Sequence, residues 1–207
     1  MSRVKILSCG RGRVFAGRIA EHLEKKYSWQ KVLGEVHVKE FENWEVNPII
    51  EQSVRGDSVY VVQNIDDPAS GRKPQENFDE LLRLTDATRR SIGIYGHVSV
   101  VMPNYYAARQ HSINEREGLA ARVTADQLED AGAEAVISID VHNSGIPGYF
   151  TKAKFENLHA SKEIIKFFRR ELPNFMDYRI PDGSGGTIWG LSVAAPDVGS
   201  AKRAKHY

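Results

Sequence analysis

Short apolar runs separated by amphipathic stretches recur along this 207-residue chain, and that alternation constrains its fold more than any other feature. Val4-Lys-Ile-Leu7, Asp57-Ser-Val-Tyr-Val-Val-Gln63, His97-Val-Ser-Val-Val-Met102 and the run from Glu134 to Asp140 have the length and β-branched content of buried strands. Gly34-Glu-Val-His-Val38 reads as a further strand or hairpin arm. Between Val14 and Tyr27, Phe15, Ile19 and Leu23 stand four apart on one helical stripe. From Glu76 to Arg90, Phe78, Leu81, Leu82 and Ala87 keep helical spacing. Asp79 and Glu80 come early there and Arg89 and Arg90 late, a polarity that suits the helix dipole. Another predicted helix runs from Leu119 to Ala131 and stops at Gly132. Strands alternating with helices over short connections predict an α/β fold with a mostly parallel, doubly wound sheet.

The pattern thins after residue 150, where a first domain over 1–150 is expected to close. Residues 151–207 offer one amphipathic helix, Ser161 to Leu172, ended by Pro173, then a polar stretch from Pro181 to Gly186 and a strand-like run from Thr187 to Ala195. That is too little for an independent core, so an incomplete second domain is expected. A helix-like start at Ser200-Ala-Lys-Arg-Ala-Lys205 is cut off by the end at Tyr207. Hydrophobic residues make up 41% and charged residues 27%, as in ordinary globular proteins. A formal net charge of +1 offers no basis for a nucleic-acid groove or an acidic membrane as partner. The single cysteine, Cys9, excludes an intramolecular disulfide and a cysteine-rich zinc site. With no signal-peptide-like run and no stretch of ~20 apolar residues, an intracellular, cytoplasmic protein is expected.

The candidate chemistry clusters where predicted strands end. Ile137-Ser-Ile-Asp140-Val-His142 closes an apolar run with an acid and an imidazole two residues apart. In a strand those two side chains share a face, and they would leave the sheet at the carboxyl edge where open α/β sheets bind ligands. A carboxylate beside a neutral imidazole suits a divalent ion held mainly by nucleotide phosphates; a strand-end cap and a surface histidine fit the doublet equally. Arg109-Gln110 follows Pro103 in a loop with Tyr105 and Tyr106. Arginine presents a fork of donors to phosphate, glutamine reads a base edge and tyrosines offer stacking faces; an exposed turn explains the segment as well. Pro196-Asp197-Val-Gly199 fits sugar hydroxyls, a second metal or a plain turn. Phe41-Glu-Asn43-Trp-Glu45 reads first as a hairpin tip, and Gly183-Ser-Gly-Gly186-Thr187 as a flexible turn ahead of a strand.

Taken together these segments resemble the ribose-phosphate pyrophosphokinases. The resemblance runs from about Phe15 to Ala204 through Phe41-Glu-Asn-Trp-Glu45, Glu51-Gln-Ser-Val-Arg-Gly56, Val59-Tyr-Val-Val-Gln63 and Asp86-Ala-Thr-Arg-Arg90. It continues in Tyr106-Ala-Ala-Arg-Gln110, Asp140-Val-His142, Gly148-Tyr-Phe150 and Pro196-Asp-Val-Gly199. The resemblance implies two related phosphoribosyltransferase-type domains, with the amino-terminal one present here and the second incomplete. It implies transfer of the diphosphate of ATP to ribose 5-phosphate with release of AMP, a Mg²⁺ cofactor, and assembly as a homo-oligomer of dimers within hexamers. By position, Arg109 and Gln110 would hold ATP, while Phe41, Asn43 and Glu45 would serve the nucleotide of a neighbouring subunit. His142, with Asp140 beside it, would sit on the triphosphate magnesium, and Asp197 would bind a second metal or the ribose. Ser53, Arg55 and Arg90 resemble positions of regulatory phosphate or ADP.

The chain also departs from that pattern. His111 stands where the family usually has aspartate, Glu117-Gly-Leu-Ala-Ala-Arg122 replaces the usual Pro-Ile-Ser/Thr-Ala-Lys, and Thr151 replaces an acid. The Lys-Arg flexible loop and the ribose-phosphate loop that would follow Asp197 have no counterpart before Tyr207. Nucleotide binding with little turnover is therefore expected, with exposed apolar surface on the second part. The alternative is a non-catalytic nucleotide-binding relative, or a regulatory subunit that pairs with a full-length synthetase. A phosphoribosyltransferase is disfavoured, because no two consecutive acids precede a Thr/Gly-rich loop.

Overall fold

The computed structural model describes residues 3–10, 12–67, 71–173, 179–189 and 194–195. The chain divides into two units, Met1–Leu158 and His159–Tyr207. The first unit runs β1 (Val4–Leu7), α1 (Gly12–Tyr27), β2 (Val36–Glu40), β3 (Val46–Ile50), β4 (Ser58–Val62), α2 (Pro74–Ser91), β5 (His97–Val101), α3 (Ala120–Asp130), β6 (Ala135–Ile139) and β7 (Lys154–Leu158). Strands β1, β4, β5, β6 and β7 form a parallel sheet in that spatial order. Strands β2 and β3 form a separate antiparallel hairpin.

Two observations make the sheet doubly wound. The Ile6 backbone N–H donates to Val32 and its carbonyl accepts from Gly34, both at 2.8 Å, so the chain after α1 passes along the edge of β1 away from β4. It then returns through the hairpin to β4 on the other side, which puts the reversal of winding between β1 and β4. The strand side chains divide accordingly. Val59 and Val61 of β4, with Val98 and Val100 of β5, enter the core shared with Phe78, Leu81 and Leu84 of α2 and Leu128 of α3. Tyr60, Val62 and Val101 face the other core, with Ala16 and Ala20 of α1. Burial on both faces is why β4 and β5 read as near-continuous apolar runs.

The helices follow the predicted stripes with informative shifts. The side of α1 pressed to the sheet is Gly12, Ala16 and Ala20, with Phe15, Ile19 and Leu23 flanking it, because small side chains let the helix approach closely. Helix α2 opens on Pro74, and the Glu76 carboxylate accepts the Lys73 backbone N–H at 2.9 Å, closing its first turn. Glu80 does not serve the helix dipole at the surface as the sequence suggested; it is buried at 1% exposure and ion-paired to Arg72.

Strands β3 and β7 had no clear sequence signal. Strand β3 contains Pro48, which lacks an N–H and is tolerated in a two-stranded hairpin. Strand β7, Lys-Phe-Glu-Asn-Leu, lies at the sheet edge, and of its side chains Phe155 packs against the core while Leu158 is exposed.

The second unit contains α4 (Ser161–Glu171) and an antiparallel pair, β8 (Arg179–Pro181) with β9 (Thr187–Trp189). The Gly183–Thr187 segment forms the connecting turn. Asp182 Oδ1 accepts the Ser184 and Gly186 N–H groups at 2.8 and 2.9 Å, which together with the Ser184 hydroxyl holds its carboxyl below the usual range. Helix α4 buries no residue, and Phe167, Phe168, Leu172 and Ile188 are exposed. The predicted end of the strand-like run after Trp189 and the predicted helix start at Ser200 lie largely outside the described residues. Among the described residues no helix is long and apolar enough to cross a membrane.

Candidate functional site

The carboxyl edge of β5 and β6 carries two adjoining loops. Pro103 ends the first strand, and Ser138 of β6 ties the exits together by donating to the Met102 carbonyl at 2.8 Å and the Pro103 carbonyl at 3.1 Å. Tyr105 is buried, its hydroxyl donating to the Ala121 carbonyl at 2.8 Å and its ring edge-on to Phe150 and Phe155. Burial pushes that phenol's pKa up. Tyr106 stacks on Phe78 with ring centroids 4.6 Å apart. Neither tyrosine is a free stacking face for a base. Both are anchors that fasten the loop to the core, which corrects the expectation drawn from the sequence.

What the anchors present is a tight turn. Ala107 adopts a left-handed φ of 57°, the Gln110 N–H donates to the Ala107 carbonyl at 2.8 Å, and the Gln110 carbonyl accepts the Ala121 N–H at 3.0 Å. Arg109 and Gln110 therefore sit exposed at the head of α3, and the Arg109 guanidinium has no ion-pair partner among the described residues. His111 follows, part-buried, with its Nδ1 at 3.1 Å from the Ala108 carbonyl and its own carbonyl accepting the Tyr149 hydroxyl at 2.7 Å.

The second loop leaves β6. That strand ends at Ile139, one residue before the predicted end, and Asp140 takes a left-handed φ of 46°. Strand alternation therefore does not govern where Asp140 and His142 point. The loop is set instead by the Asp140 N–H on the Leu158 carbonyl at 2.9 Å and the Val141 N–H on Asn157 Oδ1 at 3.1 Å. Asn143 then accepts the Gly145 N–H at 2.7 Å ahead of a 3-10 turn, Ile146–Tyr149. The result brings the His142 ring to 5.4 Å from that of His111, centroid to centroid. The imidazole named from the sequence thus lies beside the arginine loop.

Glu129 was not singled out by the sequence reading, yet it secures the floor of this loop. Its carboxylate accepts the backbone N–H groups of Thr151, Lys152 and Ala153 at 2.6–2.9 Å and the Thr151 hydroxyl at 3.0 Å. Burial alone would raise its pKa, but these four donors outweigh burial and bring it from 4.5 down to about 2. The carboxyl's folded pKa lies below its unfolded value, so its stabilisation is complete above about pH 4.5 and is lost as pH falls toward about 2. Glu129→Gln is expected to cost about 2 kcal/mol at neutral pH. In urea melts the gap between variant and parent should close on acidification; a gap that persists at low pH would contradict this account.

The other candidates lie elsewhere. Phe41, Asn43 and Glu45 form the β2–β3 tip, where the Phe41 N–H donates to the Glu45 carbonyl at 2.9 Å and Asn43 Oδ1 accepts the Glu45 N–H at 3.2 Å. Trp44 projects from it 89% exposed. Among the described residues this tip shares no hydrogen bond or ring contact with the Arg109 or His142 loops. Ser53 and Arg55 precede β4; Arg55 lies beside Gly93 just past α2, and the next residue, Gly56, donates its N–H to the Ile92 carbonyl at 2.8 Å. Arg90, on the last turn of α2, is paired with Asp86 at 2.8 Å, and that bond raises its pKa. All three lie toward the amino-terminal edge of the sheet, away from the two loops. Asp197 lies outside the described residues.

Comparison with known proteins assigns the lineage. Residues 4–132 match the model of the N-terminal domain of ribose phosphate pyrophosphokinase. The chain belongs to this family. It is 31% identical over 204 residues to ribose-phosphate pyrophosphokinase A of Dictyostelium discoideum, covering 98% of this chain and 56% of that protein. With the ribose-phosphate pyrophosphokinase of Oceanobacillus iheyensis it is 35% identical over 187 residues, covering 90% of this chain and 55% of the relative. The fold matches the crystal structure of phosphoribosylpyrophosphate synthetase from Mycobacterium smegmatis with a TM-score of 0.71 at 23% identity, over 84% of this chain and 54% of the other. The chain thus spans about half the length of the curated relatives it matches.

Proposed function

We propose that this chain carries the ATP-binding part of a ribose-phosphate diphosphokinase. In that reaction the anomeric hydroxyl oxygen of ribose 5-phosphate bonds to the β-phosphorus of ATP, the bond from that phosphorus to the α,β-bridging oxygen breaks, AMP leaves and the hydroxyl proton is released. The observation that carries the reading is the exposed Arg109 fork, without an ion-pair partner among the described residues, on a loop adjoining the His142 imidazole, at the sheet edge where α/β folds bind ligands. Arg109 would grip the phosphates with paired charge-assisted hydrogen bonds, and Gln110 beside it would take a neutral contact on the nucleotide. Such transfers depend on positioning and charge neutralisation, which these groups supply.

Among the described residues no three His, Cys, Asp or Glu side chains converge. One imidazole near a phosphate-binding loop fits a Mg²⁺ that takes most of its oxygens from the nucleotide and from water. His142, assisted by Asp140, would hold that ion, which when bound neutralises triphosphate charge. Phe41, Asn43 and Glu45, on an exposed tip, would reach the nucleotide of a second copy of this chain or of a longer synthetase subunit. Asp197 would face the second metal or the ribose, and Ser53, Arg55 and Arg90 a regulatory phosphate. A cytoplasmic homo-oligomer acting on ATP and ribose 5-phosphate completes the proposal.

The 207 residues by themselves are expected to bind ATP in the presence of magnesium while releasing little AMP when ribose 5-phosphate is added. Arg109→Ala should weaken ATP binding by about tenfold or more, the worth of one charge-assisted phosphate contact. Calorimetric titration tests this, and unaltered affinity in a folded Arg109→Ala protein would remove the nucleotide from this edge.

A further inference from the structure

We propose that the open cleft beside α1 binds an amphipathic anion, a linear hydrocarbon tail carrying a carboxylate. The tail lies on the sheet and the head group meets the lysines at the start of β1. This site is separate from the nucleotide edge, and three observations carry it.

The first is an apolar bed that the first unit leaves open. Helices α2 and α3 share one core, so among the described residues of this unit α1 alone packs on the other face of the sheet. It presses down through Gly12, Ala16 and Ala20, and the flanking Ile19 and Leu23 become a wall. Val4 and Ile6 of β1, Tyr60 and Val62 of β4 and Val101 of β5 floor a cleft of about 250 Å³. Apart from the Tyr60 hydroxyl and the Trp29 indole N–H, every lining side chain is hydrocarbon. Each ligand methylene buried there gains about fourfold in affinity.

The second is what adjoins this bed. Val4 and Trp29 also line a hollow of about 520 Å³ whose other walls include Arg3, Lys5 and Lys31. The two cavities therefore meet at Val4 and Trp29, apolar on one side and cationic on the other. Arg3 is paired with Asp57 at 3.3 Å and brings no net charge. Lys5 donates to the Lys31 backbone carbonyl, a bond that positions its ammonium without neutralising it. The exposed Lys31 side chain has no ion-pair partner among the described residues. Surface lysines alone would hold any anion weakly; the apolar bed beside them selects one with a tail.

The third is the junction. Ser28 and Lys31 hold left-handed φ angles of 56° and 54°, an uncommon backbone for residues other than glycine. They bracket Trp29 and Gln30 in a turn pinned to the sheet, because the Ile6 N–H donates to the Val32 carbonyl at 2.8 Å and Glu24 accepts the Val32 N–H at 3.0 Å. The indole, 41% exposed and 5.5 Å from the Tyr27 ring, is thereby kept where the two cavities meet. Apolar walls with a few placed polar groups are the usual make-up of a small-molecule site.

The test uses the untagged full chain with octanoate, hexanoate and octanol, without nucleotide. Isothermal titration with octanoate should show one saturable site, and hexanoate, two methylenes shorter, should bind about fifteenfold more weakly. Lys5→Gln combined with Lys31→Asn, an asparagine that tolerates the left-handed backbone, removes both charges. It should weaken octanoate by about five- to twentyfold and leave octanol unchanged, each exposed ion pair being worth up to about fivefold. Val101→Phe should fill the cleft and abolish binding of both, whereas Ile94→Ala, at a position 88% exposed ahead of β5, should bind as the parent does. Circular dichroism checks that each variant is folded. ω-Bromooctanoate should quench part of the indole fluorescence, and that part should vanish in Trp29→Phe, which keeps Trp44 and Trp189. Octanoate that does not saturate, binds no better than hexanoate, or binds a folded Val101→Phe protein or the double lysine variant with parent affinity would overturn the proposal. So would particle growth in light scattering that abolishes octanoate binding, because a second copy would then occupy the cleft.

Discussion

Arg72→Ala is expected to cost the first unit about 3–5 kcal/mol, a loss of roughly 6–20 °C in melting temperature. Glu80 is 1% exposed on α2, at the carboxyl ends of β1 and β4, and its ion pair with Arg72 supplies its neutralising charge. Gln63 adds a hydrogen bond from Nε2 to the second carboxylate oxygen at 3.3 Å, and the same amide donates to the Asn77 carbonyl. Removing the guanidinium leaves a buried carboxylate with a single neutral donor, and burial penalises its charged form. The side chain of Arg72 is 28% exposed, so the reverse change, Glu80→Ala, lets the arginine turn to water and should cost less. Adding Glu80→Gln to Arg72→Ala should recover part of the loss, because an unpaired amide is cheaper to bury than an unpaired charge. Thermal melts of the three proteins decide the matter. Parent-like stability in Arg72→Ala would mean that water reaches the carboxylate.

The next largest effect is expected at Gly12, the first residue of α1. A Cβ added there would lie 2.0 Å from Gln63 Oε1, 2.5 Å from Ser8 Oγ and 3.0 Å from the Val62 carbonyl oxygen. Gln63 cannot retreat easily, because its amide is committed to Glu80 and Asn77. Gly12→Ala must therefore push the helix off the sheet or break that polar cluster, at about 3 kcal/mol. Gly17→Ala, on the same helix with open space at its Cβ, is the control and should be neutral or slightly stabilising. Equal melting temperatures for the two variants would refute the close approach of α1 to β4.

The same cluster explains why the crevice between β1 and β4, where the winding reverses, is not the candidate site. Glu80, Gln63 and Asn77 fill it, and Cys9, whose thiol pKa burial pushes up, is enclosed beside them. The candidate loops stand farther along, over β5 and β6.

Much of this architecture is legible in the sequence. Strands β4 and β5 are covered on both faces and so leave continuous apolar runs, and Arg109-Gln110 and Asp140-Val-His142 could be picked out by residue type and order. Strand β7 escaped notice because an edge strand needs little apolar content, and β3 because Pro48 interrupts it. Tyr105 and Tyr106 fit a stacking face or an exposed turn in the sequence, yet both rings anchor the loop to the core: an aromatic ring in a loop looks the same in sequence whether it awaits a base or plugs a core. Glu129 was invisible because its partners, Thr151 to Ala153, lie 22–24 residues away.

Local periodicity and steric preference act between near neighbours, so the chain's own order of residues determined the alternation of strands and helices, the parallel winding and the family. Which face each ring turned to, and which acid was buried, depended on atoms far apart in the chain. Only tertiary packing could decide that Glu80 leaves the surface for Arg72, and that His111 meets His142. Burial free energies and hydrogen-bond geometry settle such pairings after the elements dock, and neither is written in any short stretch of sequence.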